Sequence, residues 1–233
     1  MSSALSTGGT SSPAAVVSAF VERHKVVLLI VAAVMLAALI VWLAWAERER
    51  SVNESSALRA ERLQDLYQTW RAEPEGTRKT NLGEDLVEDA ARILRQFPRR
   101  YAAQRALYVR AQYRFDLEQW GDAVADWQEV ATRWPDSYLA PLSIFNAAIA
   151  SEEAGQPEQA LEQLQRIVDQ WGDTILVPRT LFAMGRMAEQ RGDVGTAQAT
   201  YDRLTEEHGG SRWAVAARNR LIVLETQGQL AAE

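Results

Sequence analysis

Four aromatic-plus-turn pairs recur along the chain at one interval: Phe97-Pro98, Trp134-Pro135, Trp171-Gly172 and His208-Gly209, each 37 residues after the last. A fixed period of roughly 20 to 50 residues marks a stacked array, in which no unit can bury its apolar face alone and each leans on the next. Such a chain is built to present a surface, so the search is for a binding face before a catalytic pocket.

The register extends well beyond the stops. Ala111, Ala148 and Gly185 keep step, as do Ala123, Ala160 and Ala197, and Trp127, Leu164 and Tyr201. Leu107, Ile144 and Leu181 are each followed by an aromatic, Tyr108, Phe145 and Phe182. Apolar residues at three- and four-residue steps predict two helices per unit. Ser137, Thr174 and Ser211 are predicted N-caps, since a hydroxyl can accept from an orphan helix N–H. Gly155 and Gly192 are predicted to break the first helix, and in the earliest full unit the break is predicted near Gly121. The small residues have a steric purpose. Where two helices cross closely a large side chain would hold the backbones apart. Ala111 against Ala123, Ala148 against Ala160 and Gly185 against Ala197 are therefore expected at the crossings, where overfilling costs roughly 1–3 kcal/mol.

Upstream, Leu86, Ala90, Ile93 and Phe97 fit a second helix, with a partner carrying Leu63, Leu66, Tyr67 and Trp70. Between them lies a predicted loop over residues 73–83, with Pro74, Gly76 and Gly83. A last helix from Trp213 to about Thr226 is expected to close the other end.

Val26 to Ala46 contains no charged residue and is bracketed by Lys25 and Glu47. At about 1.5 Å per residue, 21 residues cover the roughly 30 Å of a bilayer core. Trp42 and Trp45 suit a membrane interface. Ala44-Trp45-Ala46 also fits a signal-peptide cleavage site, although the apolar run exceeds the usual 7–15 residues, roughly, of such a peptide. Counting Lys and Arg, with Arg23 and Lys25 before the segment and Arg48, Arg50, Arg59 and Arg62 after it, favours a cytoplasmic C-terminal side. The expected organisation is a mostly disordered tail (1–25), a spanning helix (26–46), a linker helix with an irregular first unit and loop (47–83), the repeat domain (84–226) and a C-terminal tail (227–233).

Small residues twelve apart, then an aromatic, then a Pro near the unit's end resemble the tetratricopeptide repeat. The matching positions are Ala111/Ala148/Gly185, Ala123/Ala160/Ala197, Trp127/Leu164/Tyr201 and Pro135. The period is longer than that family's, and Leu107, Ile144 and Leu181 stand where it carries Trp. The resemblance implies an all-α fold, a right-handed α-solenoid of helix pairs following the N-terminal transmembrane helix. With the membrane segment in front, the layout also resembles the YfgM-type ancillary subunit family of the bacterial Sec translocon. That implies a non-enzymatic, single-pass inner-membrane adaptor with a cytoplasmic N-terminus and a periplasmic repeat domain, holding partner or client polypeptides. The alternative is a scaffold subunit of an envelope-assembly, Tol–Pal-like or flagellar motor complex.

In tetratricopeptide arrays the first helices line a concave groove. Transferred here, the groove carries Arg105, Tyr108 and Gln112 from one unit, Leu142, Phe145 and Ile149 from the next, and Arg179, Phe182 and Arg186 from the third. Rings offer apolar area and guanidinium groups hold carboxylates, which suits a peptide segment. The rings equally suit packing between first helices, which leaves the arginines as the expected exposed contacts.

Composition excludes much else. There is no cysteine, hence no disulfide, thiol nucleophile, thiolate metal site or lipidated cysteine. His24 and His208 are the two histidines. His208 occupies the slot of Trp134 and Trp171, so packing or capping is its expected role. No phosphate-cradling glycine loop is present, and no cofactor or metal is implied. A net charge of −6 argues against nucleic acid as partner. Oligomeric state is open.

Overall fold

The computed structural model describes residues 13–227. Within them the chain is helical throughout: α1 (Pro13–Ala72), α2 (Thr77–Gln96), α3 (Tyr101–Asp116), α4 (Trp120–Arg133), α5 (Leu139–Glu153), α6 (Pro157–Gln170), α7 (Val177–Gln190), α8 (Val194–Glu207) and α9 (Arg212–Thr226). Residues 1–12 of the expected disordered tail and 228–233 of the C-terminal tail lie outside the described residues. Pro13 to Lys25 are helical, with a break in helical geometry at His24 (φ −116°, ψ 16°).

The chain divides after Glu54 into two units. The first holds the apolar part of α1. That apolar stretch is not buried within the protein, and the helix is long and apolar enough to cross a membrane.

The second unit is a stack of helix pairs. The stripe Ala60, Leu63, Tyr67 and Trp70 on α1 buries against Leu86, Ala90 and Ile93 of α2 and Ala102, Ala106 and Val109 of α3. From there each helix packs on its neighbours in sequence, and first helices also meet across pairs, α3 on α5 and α7 on α9. Ala111, Ala123, Ala160 and Ala197 are fully buried and Ala148 nearly so. Gly185 has a sharper cause: a Cβ there would sit 2.5 Å from Tyr201 Cε1 and 2.7 Å from its Cδ1. The Tyr201 ring, which fills the slot of Trp127 and Leu164, occupies the space a methyl would need.

Residues 77–83 are the first turns of α2 rather than loop. Gly83 is small there because a Cβ would collide with the Tyr113 hydroxyl, so it marks a close approach and no break. Likewise Gly121 lies inside α4; the break falls at Glu118, whose φ of 59° matches the 73° of Gly155 and 75° of Gly192. These three residues are 37 apart. At each, the following N–H reaches back to the helix: Gln119 to the Arg114 carbonyl (2.9 Å), Gln156 to Ser151 (2.8 Å), Asp193 to Ala188 (3.0 Å). This left-handed stop closes orphan carbonyls and ordinarily takes glycine. Glu118 adopts it against its own side chain's preference.

Second helices stop at the aromatic slots. The N–H groups of Phe97, Trp134, Trp171 and His208 bond the carbonyls of Ile93, Val130, Ile167 and Leu204 at 2.8–3.1 Å. Trp171 Nε1 also donates to the Pro135 carbonyl (3.0 Å), and Arg133 to that of Pro98 (2.9 Å), tying one unit's stop to the previous one. Of the expected N-caps, Ser211 caps α9 through the Ala214 N–H (3.1 Å). Thr174 instead donates to the Trp171 carbonyl (2.9 Å), and Ser137 accepts from Leu139 while donating to Gln104. Thr174 is thus claimed by the turn before α7, whereas Ser137 holds the first N–H of α5 and a side chain of α3.

Asp126 has no counterpart among the sequence expectations. Almost entirely buried on α4, it accepts from Arg110 Nε (2.8 Å) and Nη2 (2.6 Å) and from Arg114 Nη1 (2.7 Å), all on α3. The Arg114–Asp126 slots hold Ser151 and Gln163 in the next unit, joined by a 3.3 Å hydrogen bond. One geometry thus carries an ion pair and then a neutral pair.

Candidate peptide-binding groove

The face formed by the odd-numbered helices carries the three expected slots, one turn apart along each helix. Their side chains divide by environment. Tyr108 (7% exposed) and Phe145 (2%) belong to the core between helix pairs. Tyr108 contacts Trp127, its ring centroid 6.4 Å away, and its hydroxyl accepts from Asn146 Nδ2 (2.8 Å). Phe182 is half-buried against Tyr201 and Trp213. Leu142 is half-buried against the α3–α4 core, and Ile149 against the α5–α6 core.

The three arginines also differ. Arg105 donates to Gln64 of α1 (2.9 Å) and Arg186 pairs with Glu152 (2.6 Å). Arg179 is exposed. Its guanidinium lies 4.2 Å from the Phe145 ring centroid and 5.9 Å from that of Trp213, with no carboxylate at ion-pair distance among the described residues. Partial desolvation of the guanidinium against its ring neighbours, with the neighbouring Arg212 charge adding to it, pushes the Arg179 pKa below its ordinary value. The guanidinium stays charged but short of electrostatic company, so an incoming acceptor stabilises it more than it would a solvated arginine.

A cavity of about 230 Å³ opens on this face. Gln112, Phe115 and Asp116 of α3 line one side, Asn146 and Ile149 of α5 the other, with Tyr67 of α1, Trp127 of α4 and Arg179 of α7 completing it. Asp116 accepts from the Tyr67 hydroxyl (2.9 Å) and pairs with Arg71 (3.2 Å). Burial, and next the bond to Asp116, drives the Tyr67 pKa far up, so the phenol stays a donor. Burial likewise raises Tyr108, against the opposing effect of its bond from Asn146. Two side-chain atoms of lining residues, Trp127 Nε1 (a donor) and Gln112 Oε1 (an acceptor), are sealed from solvent and have no hydrogen-bond partner among the described residues.

Three of the nine expected groove residues, Gln112, Ile149 and Arg179, meet at this cavity. Sequence reasoning missed Tyr67, Phe115, Asp116, Trp127 and Asn146 as lining residues. For Asn146 a signal existed: it is the polar member of a slot shared with Val109 and Ala183. Tyr67 precedes the regular register, and Trp127 read as core.

No curated protein matches the chain. Among solved structures, a Podosopora anserina protein with nearly identical TPR-like repeats, described as a kinesin light chain, is 15% identical, covering 73% of this chain and 88% of its own, with a TM-score of 0.53. A second crystal structure under that description gives 14% identity, 73% and 89% coverage and a TM-score of 0.52. At such identities the likeness is one of fold, and it establishes the tetratricopeptide-like helical solenoid. The family match is more specific. Residues 80–232 match the N-terminal domain of EccA1, the ESX-1 secretion system (T7SS) protein, and the chain belongs to that family.

Proposed function

We propose that the protein is a membrane-tethered adaptor of a protein-secretion or translocation machine, anchored through residues 26–46 and holding polypeptide segments against its odd-helix face. The observation that carries the reading is Arg179, an exposed guanidinium stacked on Phe145 beside an amphiphilic cavity and without a carboxylate of its own. A helical-repeat fold supports a protein–protein interaction role without catalysis. The secretion-system family supports export as the process served. The apolar helix supports action at a membrane. The proposed topology has a cytoplasmic N-terminus and a periplasmic repeat domain at the inner membrane, against the Lys/Arg count.

Site-specific photo-crosslinking tests the reading. A benzophenone side chain replaces Ile149 at the cavity, with Glu162 on the α6 outer face as control. An unfolded secretory precursor should crosslink at position 149 and not at 162, and Arg179→Ala should weaken that crosslink about fivefold. Equal crosslinking at both positions refutes the groove. Recovery of cell-wall or motor proteins without export subunits refutes the export assignment. A periplasm-specific reporter fused after Glu233 must be active, or the topology is reversed.

A further inference from the structure

We propose that Arg179 and Arg212 receive the side-chain carboxylates of an acidic polypeptide segment laid across the starts of α7 and α9. The inference rests on the polypeptide-binding reading above and names the charge that the bound segment carries. Arg179 stands in the first turn of α7 and Arg212 opens α9; both are exposed. Each guanidinium lies over an aromatic ring, Arg179 at 4.2 Å from the Phe145 centroid and Arg212 at 4.8 Å from that of Trp213. Arg179 also comes within 5.9 Å of the Trp213 centroid, so one indole neighbours both charges. A ring covers one face of a guanidinium and leaves its in-plane N–H groups outward, where a carboxylate can accept two parallel bonds.

Among the described residues neither charge meets a carboxylate at ion-pair distance. Further along the same two helices the arginines are answered, Arg186 by Glu152 and Arg220 by Glu189. Asp116, on the wall of the cavity that Arg179 lines, is already held by Arg71 and the Tyr67 hydroxyl. Arg179 and Arg212 instead oppose one another. Desolvation, and next the Arg212 charge, lowers the Arg179 pKa. Their place on the helices adds to this, because a helix start carries partial positive charge that favours acidic residues and disfavours cations. The second helices α4 and α6 follow that rule with Asp122 and Glu158 in their first turns. The first helices α3, α5, α7 and α9 have no acidic residue there. In a chain of net charge −6, the starts of α7 and α9 are thus locally positive. An anion seated there relieves the repulsion between the arginines and complements the helix ends. Two guanidinium groups, each on its own ring and its own helix, ask for more than one carboxylate, which a run of acidic side chains supplies. A nucleic acid would bring many more phosphates than two arginines answer, against the charge of the whole chain.

The test uses the full chain in non-ionic detergent micelles and fluorescence anisotropy of labelled peptides. The probes are a short peptide alternating glutamate and alanine, capped at both ends, and its capped glutamine-for-glutamate analogue. A third probe is the glutamine peptide with a free C-terminal carboxylate. The glutamate peptide should bind about tenfold more tightly than the capped glutamine one, and the preference should shrink as salt is raised. Arg179→Gln and Arg212→Gln should each weaken the glutamate peptide about fivefold and leave the glutamine peptide unchanged. Both side chains are exposed, so both variants should fold. Arg203→Gln makes the same charge change on α8, where Arg203 pairs with Glu207, and should leave the preference intact. Equal binding of the glutamate and capped glutamine peptides overturns the acidic-segment assignment, as does a preference that survives Arg179→Gln or Arg212→Gln. An equal loss in Arg203→Gln overturns it too, since overall charge would then be the cause. So does binding that follows the free C-terminal carboxylate instead of the side chains. If position 149 still crosslinks precursor in any of these cases, the polypeptide-binding reading stands. If neither peptides nor precursor bind, both fall.

Discussion

Replacing Asp126 with Ala should be among the most damaging single changes in the repeat unit. The carboxylate accepts three charge-assisted hydrogen bonds at 2.6–2.8 Å from Arg110 and Arg114. Its side chain is 4% exposed, against 15% and 24% for the two arginines. Alanine leaves two poorly hydrated guanidinium groups without their shared acceptor. Breaking a buried pair from one side costs about 3–5 kcal/mol. Because both arginines keep some water contact, the low end applies, about 3 kcal/mol. For a domain of this size each kcal/mol moves the melting temperature by about 2–4 °C, so a drop of about 6–12 °C is expected. Asp126→Asn keeps one oxygen acceptor and should fall in between. The triple change Asp126→Leu, Arg110→Met, Arg114→Leu should recover most of the loss, because it removes the charges as well as their pairing. Far-UV circular dichroism of the detergent-solubilised chain measures all three. Asp126→Ala melting within about 1 °C of wild type, or a triple variant no better than the single one, would refute the reasoning.

Glu118→Gly should stabilise the array by about 0.5 kcal/mol, since relief of roughly 1–2 kcal/mol of left-handed strain exceeds the entropy cost of glycine; a lower denaturation midpoint in urea would contradict this. Gly185→Ala should cost about 1–3 kcal/mol although Ala111 and Ala148 fill the equivalent slots, because Tyr201 occupies the methyl's place; a neutral thermal melt would show the ring yields freely. Ala160→Trp should lower the melting temperature well below that of Arg179→Ala, as one enters a fully buried crossing and the other an exposed site. The Glu189 pKa is held below its ordinary 4.5, first by its hydrogen bond from Arg220 and then by that from Tyr201. A depressed carboxylate stabilises the fold above its unfolded value and loses that contribution as pH falls through the folded one. Wild type should therefore lose stability from about pH 4.5 downward, and Glu189→Gln should flatten that part of the curve. Parallel acid profiles for the two would remove the assignment.

Much of the fold is legible because a repeat states its instructions more than once. A position that must be small, such as Ala123, reads as small again at Ala160 and Ala197, so chance is filtered out by repetition. The same filter hides exceptions. Glu118 is hidden in the sequence because glycine is the usual left-handed residue and Gly121 stands nearby, yet the backbone at Glu118 takes the same left-handed turn as Gly155 and Gly192. Gly83 looked like a breaker, though a tyrosine hydroxyl from another helix sets its size. The groove suffers most. Arg105, Arg179 and Arg186 look alike in sequence, and what separates them is whether Gln64 or Glu152 stands within reach.

The sequence by itself determined the repeat length, the two-helix unit, the stops at Phe97, Trp134, Trp171 and His208, and an apolar segment long enough for a bilayer. These depend on periodicity and local backbone chemistry, which are written along one dimension. Only the tertiary structure decided that Arg179 stacks on Phe145 while Arg105 and Arg186 are held by Gln64 and Glu152, that Asp126 is a buried hub, and that Tyr67, Asn146 and Arg179 from three helices line one cavity. Those facts depend on which side chains from different helices approach within hydrogen-bond distance. That is set by how the helices pack against one another, and 37-residue spacing fixes the slot without fixing its neighbours.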